Sequence, residues 1–79
     1  MPTVLRKYGI RFHFYGADMD EPPHIHATGD GTAKVWLDGA RLEHTRGFNQ
    51  ADQDRILQVV RDHHDEFLEA WNEFRQRVS

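Results

Sequence analysis

The densest acid–base and ligand chemistry of this chain lies in residues 22–27, with the sequence PPHIHA. Side chains of an extended strand alternate between its two faces, so His24 and His26 share one face and Ile25 and Ala27 share the other. Imidazole titrates near neutral pH, which suits general acid–base catalysis, and it is also a common metal ligand. We therefore expect both imidazoles to point away from the apolar layer, toward a place that another molecule can reach.

Two further segments with alternating apolar and polar residues, 10–15 and 32–37, predict strands that extend the same polar surface. Together with residues 24–28 they place the candidate site residues on one face of a sheet. These candidates are Arg11, His13, Tyr15, His24, His26, Lys34 and Trp36.

One hypothesis for this surface is cleavage of RNA by its own 2′-hydroxyl, with His24 and His26 as acid and base and His13 as an auxiliary. A neutral imidazole would take the hydroxyl proton, and an imidazolium would protonate the leaving oxygen. Arg11 or Lys34 would bind the substrate phosphate and hold the charge of the phosphorane.

Other interpretations of the same residues remain open. Trp36 and Tyr15 could stack on nucleobases or contact a partner protein, and the acidic composition favours the protein contact. The imidazoles of His24 and His26 could bond to the neighbouring loop, or join His13 or a loop acid around a metal ion. Two histidines alone make a weak metal site, so we predict no metal and no cofactor.

The composition limits the classes of protein to consider. The chain has 79 residues, a net charge of −3 and no cysteine, which fits one domain without disulfides or thiolate zinc sites. A general nucleic-acid binder is usually basic, so the overall charge argues against one. No apolar run is long enough to cross a membrane and no signal-peptide core is present, so we expect a cytoplasmic protein. A domain this small has a thin stability margin, which self-association or a partner would raise.

The chain divides into a β-rich part and a helical part. Predicted strands cover residues 3–8, 10–15, 24–28, 32–37 and 40–45, with Gly9 as either a turn or a bulge. Turn residues 29–31 and 38–39 predict hairpins. Asn49 is a good N-cap, and an apolar stripe that ends at Val78 predicts one long helix over 50–77, with a kink near residues 63–64 as a variant. We expect a single α+β domain over residues 1–79, with an antiparallel meander of four or five strands packed on that helix.

At this point the chain resembles the small prokaryotic family known as domain of unknown function 4160. The resemblance rests on Pro2-Thr3, Tyr8-Gly9-Ile10, the segment 22–27, and His63 with Glu66, Leu68 and Trp71. Members are often encoded beside a second small protein, and the pair is similar to a type II toxin–antitoxin module with this family as the proposed toxin. The resemblance thus implies an antitoxin-like partner protein, but it assigns no chemistry and no role to a particular residue. RNA as a substrate is the hypothesis drawn above from the histidines and cations of the sheet face. A protein-binding module without catalysis and a small metal-binding protein are the alternatives.

Overall fold

The computed structural model describes residues 3–18 and 20–78, with the side chains of Asp18 and Val78 left aside. Pro2 of the family resemblance and Val78 of the helix stripe thus lie outside the described side chains. The chain begins with a five-stranded antiparallel sheet of strand order β1-β2-β3-β4-β5. The strands are β1 Thr3–Lys7, β2 Ile10–His13, β3 His24–Thr28, β4 Thr32–Trp36 and β5 Arg41–Arg46. The predicted antiparallel meander is therefore confirmed.

Short turns connect three of the four pairs of consecutive strands, and the longer loop 14–23 joins β2 to β3. Tyr8 and Gly9 both have positive φ, 57° and 72°, so they form a two-residue hairpin turn and not a bulge in one long strand. A 3₁₀ turn, Asp38–Ala40, joins β4 to β5 at the predicted second hairpin. Gly31 lies so close to the Arg46 carbonyl oxygen that a Cβ atom at this position would collide with it. That close approach holds the β3–β4 turn against the end of β5.

The C-terminal part forms two helices, α1 Gln50–Asp62 and α2 His64–Val78, so the prediction of one long helix is wrong. Asn49 caps α1 as predicted, because its side-chain oxygen accepts a hydrogen bond of 2.8 Å from the Asp52 amide. The helical path bends at His63, whose φ of −113° departs from helical geometry.

The small size of the molecule explains the bend between the two helices. A straight helix over residues 50–78 would be about 43 Å long, whereas the longest dimension of the molecule is 35 Å and its strands have four to six residues. Two shorter helices can both cover this small sheet. His63 stabilises the junction, because its ring stacks on Phe67 with centroids 5.7 Å apart and its Nδ1 lies 3.1 Å from Glu66 Oε1.

One face of the sheet and both helices enclose the core. Phe12 stacks on Phe67 with ring centroids 5.9 Å apart, and Phe14 contacts Trp71 edge to face at 5.4 Å. Each of these four side chains is at most 1% exposed. In the part of the chain that the structure describes, neither helix is long and apolar enough to cross a membrane.

Candidate functional site

The side of the sheet opposite this core carries three rows of polar side chains, and we call it the polar face. Residues paired directly across antiparallel strands point to the same side, so the strand register defines each row. Row one contains Arg6, Arg11, Thr28, Thr32 and Arg46. Row two contains Thr3, His13, His26, Lys34 and His44. Row three contains His24, Trp36 and Arg41. Successive rows are two residues apart along a strand, or about 7 Å.

His26 contacts both of the other predicted catalytic histidines on this face. The ring of His26 lies 5.8 Å from that of His13 and 5.1 Å from that of His24, measured between centroids. His26 is half-buried, but His13 and His24 are both 0% exposed. The prediction that the imidazoles face an open surface is therefore wrong for His13 and His24, because neighbouring long side chains close over them. Their catalytic roles stay predictions.

His24 is enclosed at the start of β3 by groups from both sides of the sheet. Its ring lies 5.4 Å from the ring of Trp36 on the polar face and 5.1 Å from that of Trp71 on α2. Its Nδ1 donates a hydrogen bond of 2.9 Å to the Pro22 carbonyl oxygen, since a carbonyl can only accept. His24 is thus oriented by its neighbours, and its hydrogen bond to Pro22 fixes the end of the loop that precedes β3.

His13 occupies a site that disfavours its charged form. Its Nε2 lies 2.8 Å from the Thr28 hydroxyl, whereas its Nδ1 is buried with no hydrogen-bond partner among the described residues. Burial, and then the nearby charges of Arg11 and His26, lower the pKa of His13 from 6.5 to about 4. His13 is therefore neutral at physiological pH.

The predicted substrate-binding residues frame the histidines, but their charges are not all available. Lys34 Nζ lies 2.7 Å from Glu21 Oε1 and 4.7 Å from the centre of the Trp36 ring. The Trp36 indole also donates a hydrogen bond of 2.7 Å to Glu43. Tyr15 is 40% exposed and its ring centroid lies 4.5 Å from that of His26, so an open aromatic surface adjoins the half-buried imidazole. Arg11 is half-buried in row one.

The charges of this acidic chain are strongly segregated between the strands and the helices. The five strands contain six lysine and arginine residues and one acidic residue. The two helices contain four arginines and seven acidic residues. Five of the strand cations belong to the polar face by register, namely Arg6, Arg11, Lys34, Arg41 and Arg46. A charge count for each predicted element, instead of one for the whole chain, is the signal that finds this pattern.

A pocket of about 350 Å³ opens at the row-three end of the polar face. Its lining residues come from the β2–β3 loop, β4, the turn before β5 and the start of β5, and are Pro22, Pro23, Trp36, Asp38 and Arg41. The amide of Leu37 donates a hydrogen bond of 3.1 Å to the Pro23 carbonyl oxygen, which ties the proline wall to the end of β4. The sequence singled out the two prolines only as the rigid end of a loop.

Metal binding finds no support in the arrangement of ligating side chains. Within residues 3–18 and 20–78, no group of three or more histidine, aspartate or glutamate side chains is placed to hold a metal ion. The ring of His26 contacts the rings of His13 and His24. The Nε2 atom of His13 lies beside the Thr28 hydroxyl, and the Nδ1 atom of His24 donates to the Pro22 carbonyl oxygen.

Comparison with known proteins identifies the family. The model of the domain of unknown function DUF4160 matches residues 9–72, which is most of the chain, so the protein belongs to this family. The matched region includes the PPHIHA segment, four of the five strands and the bend between the helices. Neither the curated proteins nor the solved structures contain a significant match.

Proposed function

We propose that the polar face binds RNA and that the protein acts as the toxin-like component of a two-protein module. The observation that carries the RNA-binding proposal is the placement of five cations, of which Lys34 is paired with Glu21, and two aromatic residues on one sheet face of an otherwise acidic chain. Phosphates provide most of the affinity of a protein for nucleic acid, so a local basic surface matters more than the net charge of the chain.

The distribution of groups on the face favours a single strand over a duplex. Row one has arginines at both of its ends with two threonine hydroxyls between them, which suits a phosphate backbone that runs across the strands. Tyr15 and Trp36 lie on the far side of row two, where unpaired bases could stack. A duplex would present stacked bases whose faces these rings could not contact.

The role of toxin rests on the family resemblance, and the polar face suggests how a partner would silence it. A small antitoxin-like protein with an acidic surface would bind the same cations and exclude RNA by competition. The alternative of a protein-docking module without RNA binding uses the same face. Salt-dependent binding of RNA distinguishes the two.

Binding to a fluorescein-labelled single-stranded RNA of mixed sequence, measured by anisotropy between 50 and 300 mM salt, tests the proposal. Each phosphate contact on a single strand contributes about −0.7 to the slope of log K against log salt. The double variant Arg11→Gln/Arg46→Gln should therefore reduce the magnitude of the slope by about 1.4. It should also weaken binding about tenfold, which corresponds to about 1.4 kcal/mol.

The matched control is Arg61→Gln/Arg75→Gln, which removes the same charge from exposed positions on the two helices. We expect this control to bind RNA nearly as tightly as the wild type. An equal loss of affinity in both double variants would show that only net charge matters, and it would contradict a specific role for the polar face.

Cleavage of the bound RNA is a second candidate activity, favoured by the position of His26. It is the only one of the three contacting imidazoles that is not fully buried, and it lies between row one and the exposed ring of Tyr15. In this proposal His26 takes the proton of the 2′-hydroxyl, Arg11 holds the phosphate charge, and the leaving oxygen takes a proton from solvent.

Incubation of the purified protein with labelled RNA tests this activity. His26→Ala should abolish cleavage, and His64→Ala, which removes a half-buried imidazole from α2, should leave it intact. Cleavage that survives in His26→Ala would come from another group or from a contaminating nuclease.

A further inference from the structure

The pocket at the row-three end of the polar face has the size and shape of a small-ligand site. Its volume of about 350 Å³ lies at the lower end of the range of about 300–1,000 Å³ that is typical of ligand pockets. Trp36, Pro22 and Pro23 provide apolar walls, and Asp38 and Arg41 add one acceptor group and one donor group. This combination suits a flat, polar-edged molecule such as a nucleobase.

Contacts within the described chain hold the walls of this pocket in place before any ligand arrives. Trp36 is fixed by its hydrogen bond to Glu43 and by Lys34 over its ring. Pro22 is held by the buried ring of His24, and Pro23 by the amide of Leu37. Such preorganisation reduces the ordering that binding would otherwise require. It also gives the buried His24 a positioning role, since its ring is hydrogen-bonded to the carbonyl oxygen of Pro22 in the pocket wall.

The two charged residues remain available for a ligand. Within residues 3–18 and 20–78, neither Asp38 nor Arg41 has an ion-pair partner, and both are exposed. The stem of Arg41 lies beside Gly39, because a Cβ atom at that glycine would be 3.6 Å from Arg41 Cγ. The guanidinium and the carboxylate therefore belong to the same rim of the pocket.

The chemistry of this rim distinguishes among the four bases. A carboxylate only accepts hydrogen bonds, and guanine is the base with two adjacent donors, N1–H and the N2 amino group, on its pairing edge. Adenine and cytosine place a ring acceptor beside their amino group, and uracil places its single N–H between two carbonyls. A carboxylate can therefore accept only one hydrogen bond from the pairing edge of each, with an acceptor beside that bond, against two from guanine. Guanine also offers O6 and N7 as acceptors, which are the usual partners of arginine.

We propose that this pocket binds one guanine base of the RNA strand, with Asp38 on the N1–H and N2 edge and Arg41 on the O6 and N7 edge. This inference rests on the proposed RNA binding and adds a base preference to it. The strand would cross the cations of row one and deliver one base to the opposite end of the polar face, about 13 Å away across two row spacings.

Four fluorescein-labelled RNA heptamers test the inference, each made of uridines with a central G, A, C or U. The wild type should bind the G heptamer at least about fivefold more tightly than the A heptamer, because a bidentate base contact discriminates by about 1–3 kcal/mol. Asp38→Asn replaces one acceptor by a donor and should reduce the G/A ratio to less than about twofold. Arg41→Gln should reduce it in the same direction.

The matched control is Asp30→Asn, the same change at an exposed position in the β3–β4 turn, at the other end of the sheet. It should leave the G/A ratio at the wild-type value. Thermal unfolding of each variant, followed by circular dichroism, verifies that the exposed substitutions preserve the fold.

The outcomes separate this inference from the proposed function. Equal affinity for the four heptamers would overturn the guanine pocket and leave RNA binding in place. A preference for another base, or a guanine preference that survives Asp38→Asn, would also overturn it. Failure of all four heptamers to bind would refute RNA binding on the polar face and the guanine pocket with it.

Discussion

Acid should destabilise this protein through His13. The unfolded chain takes up a proton at this residue near pH 6.5, whereas the folded protein does so only near pH 4, because burial opposes the charged ring. The free energy of unfolding therefore falls as the pH is lowered through this window and is unaffected by His13 above it. At 1.36 kcal/mol per pKa unit, the full loss from this one side chain is about 3 kcal/mol.

Urea unfolding followed by tryptophan fluorescence, at pH 7, 6, 5 and 4.5, measures the loss. Trp71 is 1% exposed in the core, so its emission reports global unfolding. Other groups also titrate in this range, and a comparison with His13→Gln removes their contribution. Glutamine places an amide near the position of Nε2, within reach of the Thr28 hydroxyl, and carries no charge at any of these pH values.

The free energy of unfolding of the wild type minus that of His13→Gln should fall by about 2–3 kcal/mol from pH 7 to pH 4.5. His44→Gln is the matched control, since it removes an exposed imidazole from the same row of the polar face. A wild-type-minus-variant difference that stays constant over the range would refute the argument from burial. It would mean that water or a rearranged side chain solvates His13 in the folded protein.

Two further substitutions test how local geometry supports the fold. Gly31→Ala should lower the free energy of unfolding by at least about 2 kcal/mol in urea unfolding, because its Cβ would collide with the Arg46 carbonyl oxygen. If Gly31→Ala matches the wild type, the turn is not packed as described. Asn49→Ala should cost about 1 kcal/mol by the same measurement through loss of the hydrogen bond to the Asp52 amide. An unchanged midpoint would show that another group caps the first helix.

Local signals in the sequence predict the strands and turns well, because their causes are local. The alternation of residues 10–15, the turn residues around Gly31 and Gly39, and the N-cap Asn49 each act within a few residues of themselves. The bend at His63 has a different cause. Neither glycine nor proline interrupts residues 50–77, and the helix divides because the sheet that it covers is short. The sequence predicts a kink near residues 63–64 only as a variant of one long helix, because a window that contains only the helix cannot report the size of its packing partner.

The sequence predicts only part of the candidate site, because the rest depends on contacts between residues that are distant in the chain. Strand periodicity places His13, His24 and His26 on the polar face, which the register confirms. It does not reveal that Trp71, a residue more than 40 positions away, contacts the ring of His24. Nor does it reveal the pocket beside Trp36, whose shape depends on the exact pairing of β4 with β5 after a shift in register.

The order of the strands has a consequence for biosynthesis. Every strand pairs only with its neighbours in the chain, so each hairpin can close as soon as it leaves the ribosome, without waiting for a distant segment. The apolar side of the nascent sheet then stays uncovered until the residues around Phe67 and Trp71 are made. During that interval the chain is most exposed to aggregation, and rapid docking of the two helices ends it.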